Sequence, residues 1–227
     1  MCGIIGYVGE KEANDILIAG LEKLEYRGYD SAGIAIVNNN QIQINKAEGR
    51  ASKLKNKKLP GTMGIGHTRW STHGKPSDRN AHPFIDNTNN FVIVHNGIIE
   101  NYLELKAGLE ENGVIFTSDT DSEVIVHLIA KAYAESPRKS LKDAVLKVVS
   151  YLQGSYALCV LHRNSGEIIG ARNGSPLLVG LGNNENFLAS DASAIIEHTK
   201  QVIYLEDFEV AEVKKDSVQV YAFTGEE

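Results

Sequence analysis

The sequence predicts an α+β fold built from antiparallel sheets. Strand-like segments cluster in hairpins and helix-like segments come in groups, whereas a doubly wound parallel sheet would need the two kinds to alternate. Short strands separated by glycine- and asparagine-containing turns dominate the last third of the chain. No proline- or glycine-rich linker divides the 227 residues, so we predict a single domain over 1–227.

The first half of the chain is predicted to begin with a strand, a helix and a hairpin. The apolar run at 2–9 indicates a strand, and apolar residues at helical spacing over 11–26 indicate an amphipathic helix. Segments 31–37 and 41–46 flank an asparagine-rich turn, which is typical of a hairpin. Two more strand candidates follow at 63–68 and 91–95.

The second half is predicted to hold three helices and then a series of short strands. Helical periodicity covers 102–112, 121–135 and 141–152. After Gly154, turns such as Asn-Ser-Gly and Gly-Asn-Asn separate the apolar segments. The predicted strands here are 155–162, 167–172, 177–181, 186–189, 202–205, 208–214 and 217–223, with one short helix at 192–198.

Composition argues against two classes of partner. The 23 basic and 29 acidic residues give a net charge of -6, whereas a nucleic acid or an anionic membrane surface would require a basic patch. The sequence shows no secretory signal pattern and no apolar stretch of membrane-spanning length. We therefore predict a cytoplasmic protein with neither nucleic acid nor membrane as its partner.

The two cysteines have different predicted roles. Cys159 lies inside an apolar run and is predicted to be a buried strand thiol. Cys2 follows Met1 directly, so removal of Met1 would leave a thiol and a free α-amine on one residue. An α-amine has a pKa of about 7.7–8.0 and can accept the thiol proton at neutral pH. Cys2 is thus a candidate nucleophile, although its position alone is also compatible with a small residue that starts a strand.

Polar groups elsewhere could complete such a site. Asn96-Gly97 follows the predicted strand 91–95 and is either a turn or an amide NH₂ beside a backbone N–H, which together could form an oxyanion hole. Arg69 offers a planar fork suited to a carboxylate. Asp119 and Asp121 precede a helix, so one is expected to be its N-cap and the other could bind an ammonium group. Arg69 and Asp121 together would match the charged groups of an α-amino acid.

No metal or cofactor is predicted from the motifs. The histidines His67, His73, His82 and His95 show neither an HExxH pattern nor a paired-cysteine partner. The chain also has no Walker loop and no glycine-rich dinucleotide fingerprint.

Taken together, these motifs resemble a known family. The initial Met-Cys-Gly-Ile-Ile-Gly resembles the class II, or N-terminal-nucleophile, glutamine amidotransferases. Within that group the chain is similar to the glucosamine-6-phosphate synthase (glutamine–fructose-6-phosphate aminotransferase) family. The matching segments occur in the same order over most of the chain, at 25–33, 66–70, 80–84, 95–97, 118–121 and 154–157.

The resemblance implies the catalytic roles. Cys2 would be the nucleophile and its α-amine the general base, while Asn96 and Gly97 would form the oxyanion hole. Arg27 would support the nucleophile, and His82 would belong to a nearby loop. The product would be L-glutamate plus ammonia, formed through a glutamyl thioester on Cys2.

The resemblance also implies how L-glutamine would be bound. Arg69 would hold the α-carboxylate, with Thr72 and His73 nearby, and Asp121 would hold the α-ammonium group. Trp70 would belong to the mobile loop that covers the site, near the exit for ammonia. No cofactor and no metal would be needed.

The resemblance further implies an architecture and a parent protein. The fold would be the four-layer αββα sandwich of N-terminal-nucleophile hydrolases, with two antiparallel sheets. Family members continue into two sugar-isomerase domains, which bind fructose 6-phosphate and use the ammonia, and the parent enzyme would be a homodimer. Nothing in this chain supplies those domains, so we expect an isolated glutaminase domain.

Two alternatives stay open at this point. The chain could be a non-catalytic glutamine-binding regulatory module, for which a retained Met1 would be the distinguishing feature. It could also be an N-terminal-nucleophile hydrolase of another amide, although the pairing of Arg69 with Asp121 favours a free amino acid as substrate.

Overall fold

The fold is given by a computed structural model that describes residues 2–70 and 77–223. The strands are β1 (Gly3–Val8), β2 (Ser31–Asn38), β3 (Gln41–Glu48), β4 (Met63–Arg69), β5 (Phe84–Ile85), β6 (Phe91–Ile99), β7 (Gly154–His162), β8 (Ile168–Asn173), β9 (Leu178–Leu181), β10 (Asn186–Ala189), β11 (Gln201–Tyr204), β12 (Glu209–Val213) and β13 (Val218–Ala222). The α-helices are α1 (Ala13–Leu24), α2 (Tyr102–Glu110), α3 (Glu123–Glu135) and α4 (Leu141–Val149). Short 3₁₀ helices cover Glu25–Arg27, Ala51–Asn56 and Ala192–Ala194.

The strands form two antiparallel sheets. One has seven strands in the order β11-β9-β10-β1-β4-β2-β3, and the other has six in the order β13-β12-β8-β7-β6-β5. The predicted α+β class with two antiparallel sheets is therefore confirmed. β1 is the fourth of the seven strands and pairs with β10 on one side and β4 on the other.

Three apolar clusters separate four layers. Helix α1 packs on the seven-stranded sheet, α3 and α4 pack on the six-stranded sheet, and a third cluster fills the space between the sheets. Because side chains alternate along a strand, β1 sends Ile5 and Tyr7 toward α1 and sends Ile4 and Val8 between the sheets. Each fully buried side chain of this size contributes about 1.5–3 kcal/mol. The predicted αββα layering follows from these three clusters.

The same alternation places polar groups at one end of the inter-sheet layer. Cys2 lies two residues before Ile4, so its side chain is on the same side of the sheet as that of Ile4. Asn96 likewise lies two residues after Val94 on β6, whose side chain belongs to the inter-sheet cluster. On β4, Arg69 is on the same side of the strand as the residues that lie between the sheets. The pairing of Gly3 with Thr68 places Cys2 next to Arg69. The sheet register therefore brings residues distant in sequence to one place.

Most predicted elements are observed, and the differences include the following three. The helix predicted at 192–198 is only the 3₁₀ turn Ala192–Ala194. The two-residue strand β5 was not predicted, and β6 continues to Ile99 rather than ending at residue 95. Cys159 is fully buried between the sheets, as predicted. Within the described part of the chain, no helix has both the length and the apolar character needed to span a bilayer.

Candidate active site

Cys2 is held at the start of β1 by hydrogen bonds to its sulfur and to its carbonyl. The backbone N–H of Trp70 donates to the Cys2 sulfur at 3.2 Å, and the thiol lies 3.6 Å from the Trp70 carbonyl oxygen. The Cys2 carbonyl accepts from Arg27 Nε and Asn96 Nδ2, both at 3.1 Å. The thiol is therefore fixed in position relative to both sheets.

The environment of Cys2 keeps the thiol protonated. Burial raises the pKa of the Cys2 thiol, and the Trp70 hydrogen bond and the positive charges of Arg69 and Arg27 oppose that effect only in part. Because the thiolate is the nucleophilic form, a thiol with a raised pKa needs a base to accept its proton.

Asn96 and Gly97 lie inside β6 and do not form a turn. They pair with Ala157 and Tyr156 of β7, so the strand runs on past them. Gly97 has φ of 131°, and a Cβ at this position would collide with the Ser155 carbonyl oxygen. The turn interpretation of Asn-Gly is therefore wrong, and only glycine fits position 97 without a shift of the backbone.

Arg69 and Asp121 are two buried charged residues that line a cavity together with Cys2. The Arg69 side chain is almost fully buried, with 4% of the residue exposed, and burial lowers its pKa while the neighbouring Cys2 and Asp121 oppose that shift. A guanidinium nevertheless stays charged in proteins. Asp121 Oδ2 accepts from the backbone N–H of Ile99 at 2.8 Å, which ties the loop before α3 to β6.

The expected N-cap role of an aspartate before α3 is wrong. The N-cap residue is Ser122, and its side chain makes no capping hydrogen bond. Asp119 pairs at the surface with Arg79 at 3.1 Å, and Asp121 bonds to β6 instead. Asp121 is thus held by the strand that carries Asn96.

Two cavities meet at Cys2. The larger, of about 280 Å³, is lined by residues that include Cys2, Arg27, Trp70, Asn96 and Gly97. The smaller, of about 20 Å³, is lined by residues that include Cys2, Arg69, Trp70, His82, Gly97 and Asp121. A volume of this size holds about one water molecule. Cys2 and Gly97 therefore line both cavities. The smaller cavity also has the opposite charges of Arg69 and Asp121 in its wall.

The remaining predicted residues take different positions. Arg27 contacts the Cys2 carbonyl and lies 3.6 Å from an Asp191 carboxylate oxygen. Trp70 is 49% exposed, and its ring makes an edge contact with Tyr29 at 6.4 Å between centroids. His82 lies in the loop before β5, as expected, and is buried, with 4% exposed. Thr72 and His73 lie outside the described residues.

Three further residues near the site were not predicted from sequence. His67 contacts Asn96, Asp191 contacts Arg27, and Ser122 hydrogen bonds to His95 Nδ1 at 2.8 Å. The only sequence signal for His67 was its position inside an apolar strand. From sequence we considered it only as a possible metal ligand. Over the described ranges, no group of three or more His, Cys, Asp or Glu side chains is arranged to hold a metal ion.

Comparison with known proteins agrees with this geometry. The family model described as a glutamine amidotransferase domain matches residues 67–197. The glutamine–fructose-6-phosphate aminotransferase (isomerizing) of Aquifex aeolicus (strain VF5) is 51% identical over 231 residues, covering 100% of this chain and 38% of that protein. The Fusobacterium nucleatum protein of the same name is also 51% identical, over 97% of this chain and 37% of its own length. The chain thus spans under two fifths of these curated relatives.

The fold also matches a solved structure. The B. subtilis glutamine phosphoribosylpyrophosphate amidotransferase, complexed with ADP and GMP, superposes with a TM-score of 0.83 at 28% identity, covering 98% of this chain and 49% of that one. This likeness confirms the predicted N-terminal-nucleophile hydrolase architecture. Because the family model covers more than half of the chain and the relatives match it from end to end, this chain belongs to the glutamine amidotransferase domain family.

Proposed function

We propose that this chain hydrolyses L-glutamine to L-glutamate and ammonia, with Cys2 as the nucleophile. The observation that carries the proposal is the convergence of the Cys2 thiol, the Asn96 side-chain amide and Gly97 at one cavity wall, beside the Arg69–Asp121 cavity. Membership of the glutamine amidotransferase domain family supports the same reaction.

Recognition of the substrate is assigned to the two buried charges. The Arg69 guanidinium would pair with the α-carboxylate through its planar fork, and the Asp121 carboxylate would accept from the α-ammonium group. A substrate with both charged groups is a free α-amino acid, and the length of the glutamine side chain would bring its amide carbon to the thiol. Thr72 and His73 remain predicted substrate-binding residues near the carboxylate, and Trp70 a predicted residue of the covering loop.

The first half-reaction forms a thioester. The α-amine that Cys2 carries once Met1 has been removed accepts the thiol proton, and the sulfur forms a bond with the glutamine Cδ. The oxygen of the tetrahedral intermediate accepts hydrogen bonds from Asn96 Nδ2 and the Gly97 N–H. The C–N bond then breaks, and the proton on the α-amine passes to the leaving nitrogen, which departs as ammonia.

The second half-reaction releases glutamate. The same amine accepts a proton from water as the water oxygen bonds to the thioester carbon, again with the oxyanion held by Asn96 and Gly97. The C–S bond breaks, and the sulfur recovers its proton from the amine. Arg27 assists both steps because its hydrogen bond holds the Cys2 carbonyl in place. His82 is buried and packs behind the site.

The longer parent protein is part of the proposal. Its relatives are glutamine–fructose-6-phosphate aminotransferases, so the ammonia would serve to convert fructose 6-phosphate to glucosamine 6-phosphate on sugar-isomerase domains outside this chain. We place that parent in the cytoplasm as a homodimer. The chain alone would release free ammonia.

Ammonia release from glutamine by protein of verified N-terminus tests the proposal. Cys2→Ala should abolish turnover and still bind glutamine in calorimetry, whereas Cys159→Ala, which alters the buried thiol between the sheets, should keep turnover. Persistent ammonia release by Cys2→Ala would exclude Cys2 as the nucleophile. Asparagine and γ-glutamyl amides, assayed in parallel, distinguish a hydrolase of another amide.

The state of the N-terminus provides a second test. Protein that retains Met1 carries an amide nitrogen on Cys2, which cannot accept a proton at neutral pH, so it should bind glutamine and release no ammonia. Intact mass reports the processed fraction, and activity should rise in proportion to it. Fully processed protein that binds glutamine without releasing ammonia would indicate a regulatory module instead.

A further inference from the structure

His67 is a fully buried histidine on β4, between the two sheets. Its Nε2 lies 3.0 Å from the His95 carbonyl oxygen and 3.0 Å from Asn96 Oδ1. A backbone carbonyl can only accept a hydrogen bond, so Nε2 must carry a proton. Burial lowers the pKa of His67 to about 3, so at neutral pH the ring is the neutral Nε2–H tautomer.

This donor determines how the Asn96 amide is oriented. With an N–H facing it, the amide must present Oδ1 to His67 and its NH₂ to the opposite side, where Nδ2 donates to the Cys2 carbonyl at 3.1 Å. An NH₂ group has two N–H bonds, so one remains available to a substrate oxygen. A flipped amide would point NH₂ at the His67 N–H and leave buried donors without acceptors.

The His67 ring is itself held in place. It stacks on the His82 ring at 4.1 Å between centroids, and His82 in turn contacts the Phe84 ring at 4.5 Å. His82 Nδ1 accepts from the backbone N–H of His95 at 3.3 Å. These contacts keep Nε2 directed at Asn96.

We propose that His67 is a positioning residue of the oxyanion hole, because its Nε2–H fixes the Asn96 amide with the NH₂ group directed at Cys2. The inference rests on the proposed glutamine hydrolysis and adds a residue to it. His67 touches no reacting atom, so it acts only through Asn96. Its loss should therefore lower kcat and leave glutamine binding at Arg69 and Asp121 nearly intact.

A double-mutant cycle on the processed protein tests this. His67→Leu should lower kcat for ammonia release by about 10²-fold, the order expected for a disabled oxyanion donor, with KM changed by less than about two-fold. His67→Gln should restore most of kcat, because the glutamine amide can place an N–H near the position of Nε2. In an Asn96→Ala background, His67→Leu should change kcat by less than about two-fold, since the group it positions is gone.

Matched variants separate positioning from general damage. His162→Leu removes another buried histidine, the last residue of β7, which pairs with Phe91 at the start of β6, and should leave kcat unchanged. Unfolding midpoints of all variants show whether a loss comes from instability. If His67→Leu does not fold, the comparison of His67→Gln with the shorter His67→Asn, which cannot reach Asn96, replaces it and predicts high and low kcat respectively.

The outcomes distinguish the two proposals. The positioning role is overturned if His67→Leu lowers kcat by the same factor in the parent protein and in the Asn96→Ala background. It is also overturned if His67→Leu leaves kcat unchanged while Asn96→Ala lowers it. An unimpaired Asn96→Ala would instead overturn the oxyanion hole itself. Restoration by His67→Gln together with non-additivity supports the inference.

Discussion

At Cys2, burial and the neighbouring positive charges act on the thiol in opposite directions, and burial has the larger effect. The pKa of the thiol is therefore raised above its ordinary value, whereas an α-amine ordinarily has a pKa of about 7.7–8.0. In the proposed mechanism the reactive form holds a neutral amine and a protonated thiol, so kcat/KM should rise with pH through the amine pKa and then level off. Initial rates from pH 6 to 9 measure this, and a flat profile between pH 6 and 8 would contradict the amine as base.

Arg69 offers a second prediction at the residue scale. Arg69→Lys keeps the positive charge but loses the planar fork that suits a carboxylate, so KM for glutamine should rise by about tenfold or more, with a smaller change in kcat. Arg138→Lys, at an exposed position, is the matched control and should leave both constants unchanged. An unaltered KM in Arg69→Lys would remove Arg69 from the carboxylate site.

The limits of sequence-based prediction at this scale are clear. The structure brings together Cys2, Asn96, Gly97, Arg69 and Asp121, all of which the motifs singled out. It also shows contacts that no local pattern encodes, such as Arg27 with Asp191 and His67 with Asn96. Such pairs arise from strand register, which relates residues far apart in the chain.

At the element scale, β6 carries a glycine where a side chain would collide with β7. Gly97→Ala combines an unfavourable φ with a clash against the Ser155 carbonyl, so it should destabilise the protein by about 1–3 kcal/mol and impair turnover. Gly108→Ala, on the exposed face of α2 with open space around it, should stabilise by about 0.5–1 kcal/mol. Urea unfolding compares the two, and equal effects would refute the clash.

The length of β6 shows why element ends were hard to predict. Asn-Gly is typical of a turn, so the strand was predicted to end at residue 95. Pairing of Asn96 with Ala157 and Gly97 with Tyr156 keeps the strand going, and this tertiary contact outweighs the local preference. The helix predicted at 192–198 is likewise shorter than expected: the 3₁₀ turn ends at Ala194, and Ile195 is buried in the apolar cluster that also contains residues of α1.

For the whole molecule, the buried histidines predict sensitivity to acid. Burial lowers the pKa of His67 to about 3 and also lowers the pKa values of His82 and His95, whereas an unfolded histidine has a pKa of about 6.5. Below pH 6.5 the unfolded chain binds more protons than the folded one, so the free energy of unfolding falls as pH falls, by up to about 1.4 kcal/mol per pH unit for each histidine. Above about pH 7.5 this contribution is constant.

Urea unfolding at pH 7.5, 6.5 and 5.5, at fixed ionic strength, measures that slope. His67→Gln removes one of the titrating groups and should show a shallower decrease than the parent chain over the same range. Stability that stays constant or rises between pH 6.5 and 5.5 would contradict the neutral, buried state of these rings.

The layer order was predicted only through the family resemblance. Periodicity identified strands, but it could not show that β1 buries both faces, one against α1 and the other against the second sheet. Two-sided burial gives a continuous apolar run, which a buried helix segment shares. The hairpins at 31–48 and the last third were predictable because their turns carry local signals.

The central place of β1 has a consequence for motion. A strand hydrogen bonded on both sides and packed on both faces opens only when the whole molecule unfolds, so the amide protons of β1 should be among the slowest to exchange with solvent. The proposed attacking atom, the Cys2 sulfur, thus belongs to the residue that directly precedes this strand. Any rearrangement that admits an amino acid to the 20 Å³ cavity must therefore involve the residues around Cys2, while β1 stays in place.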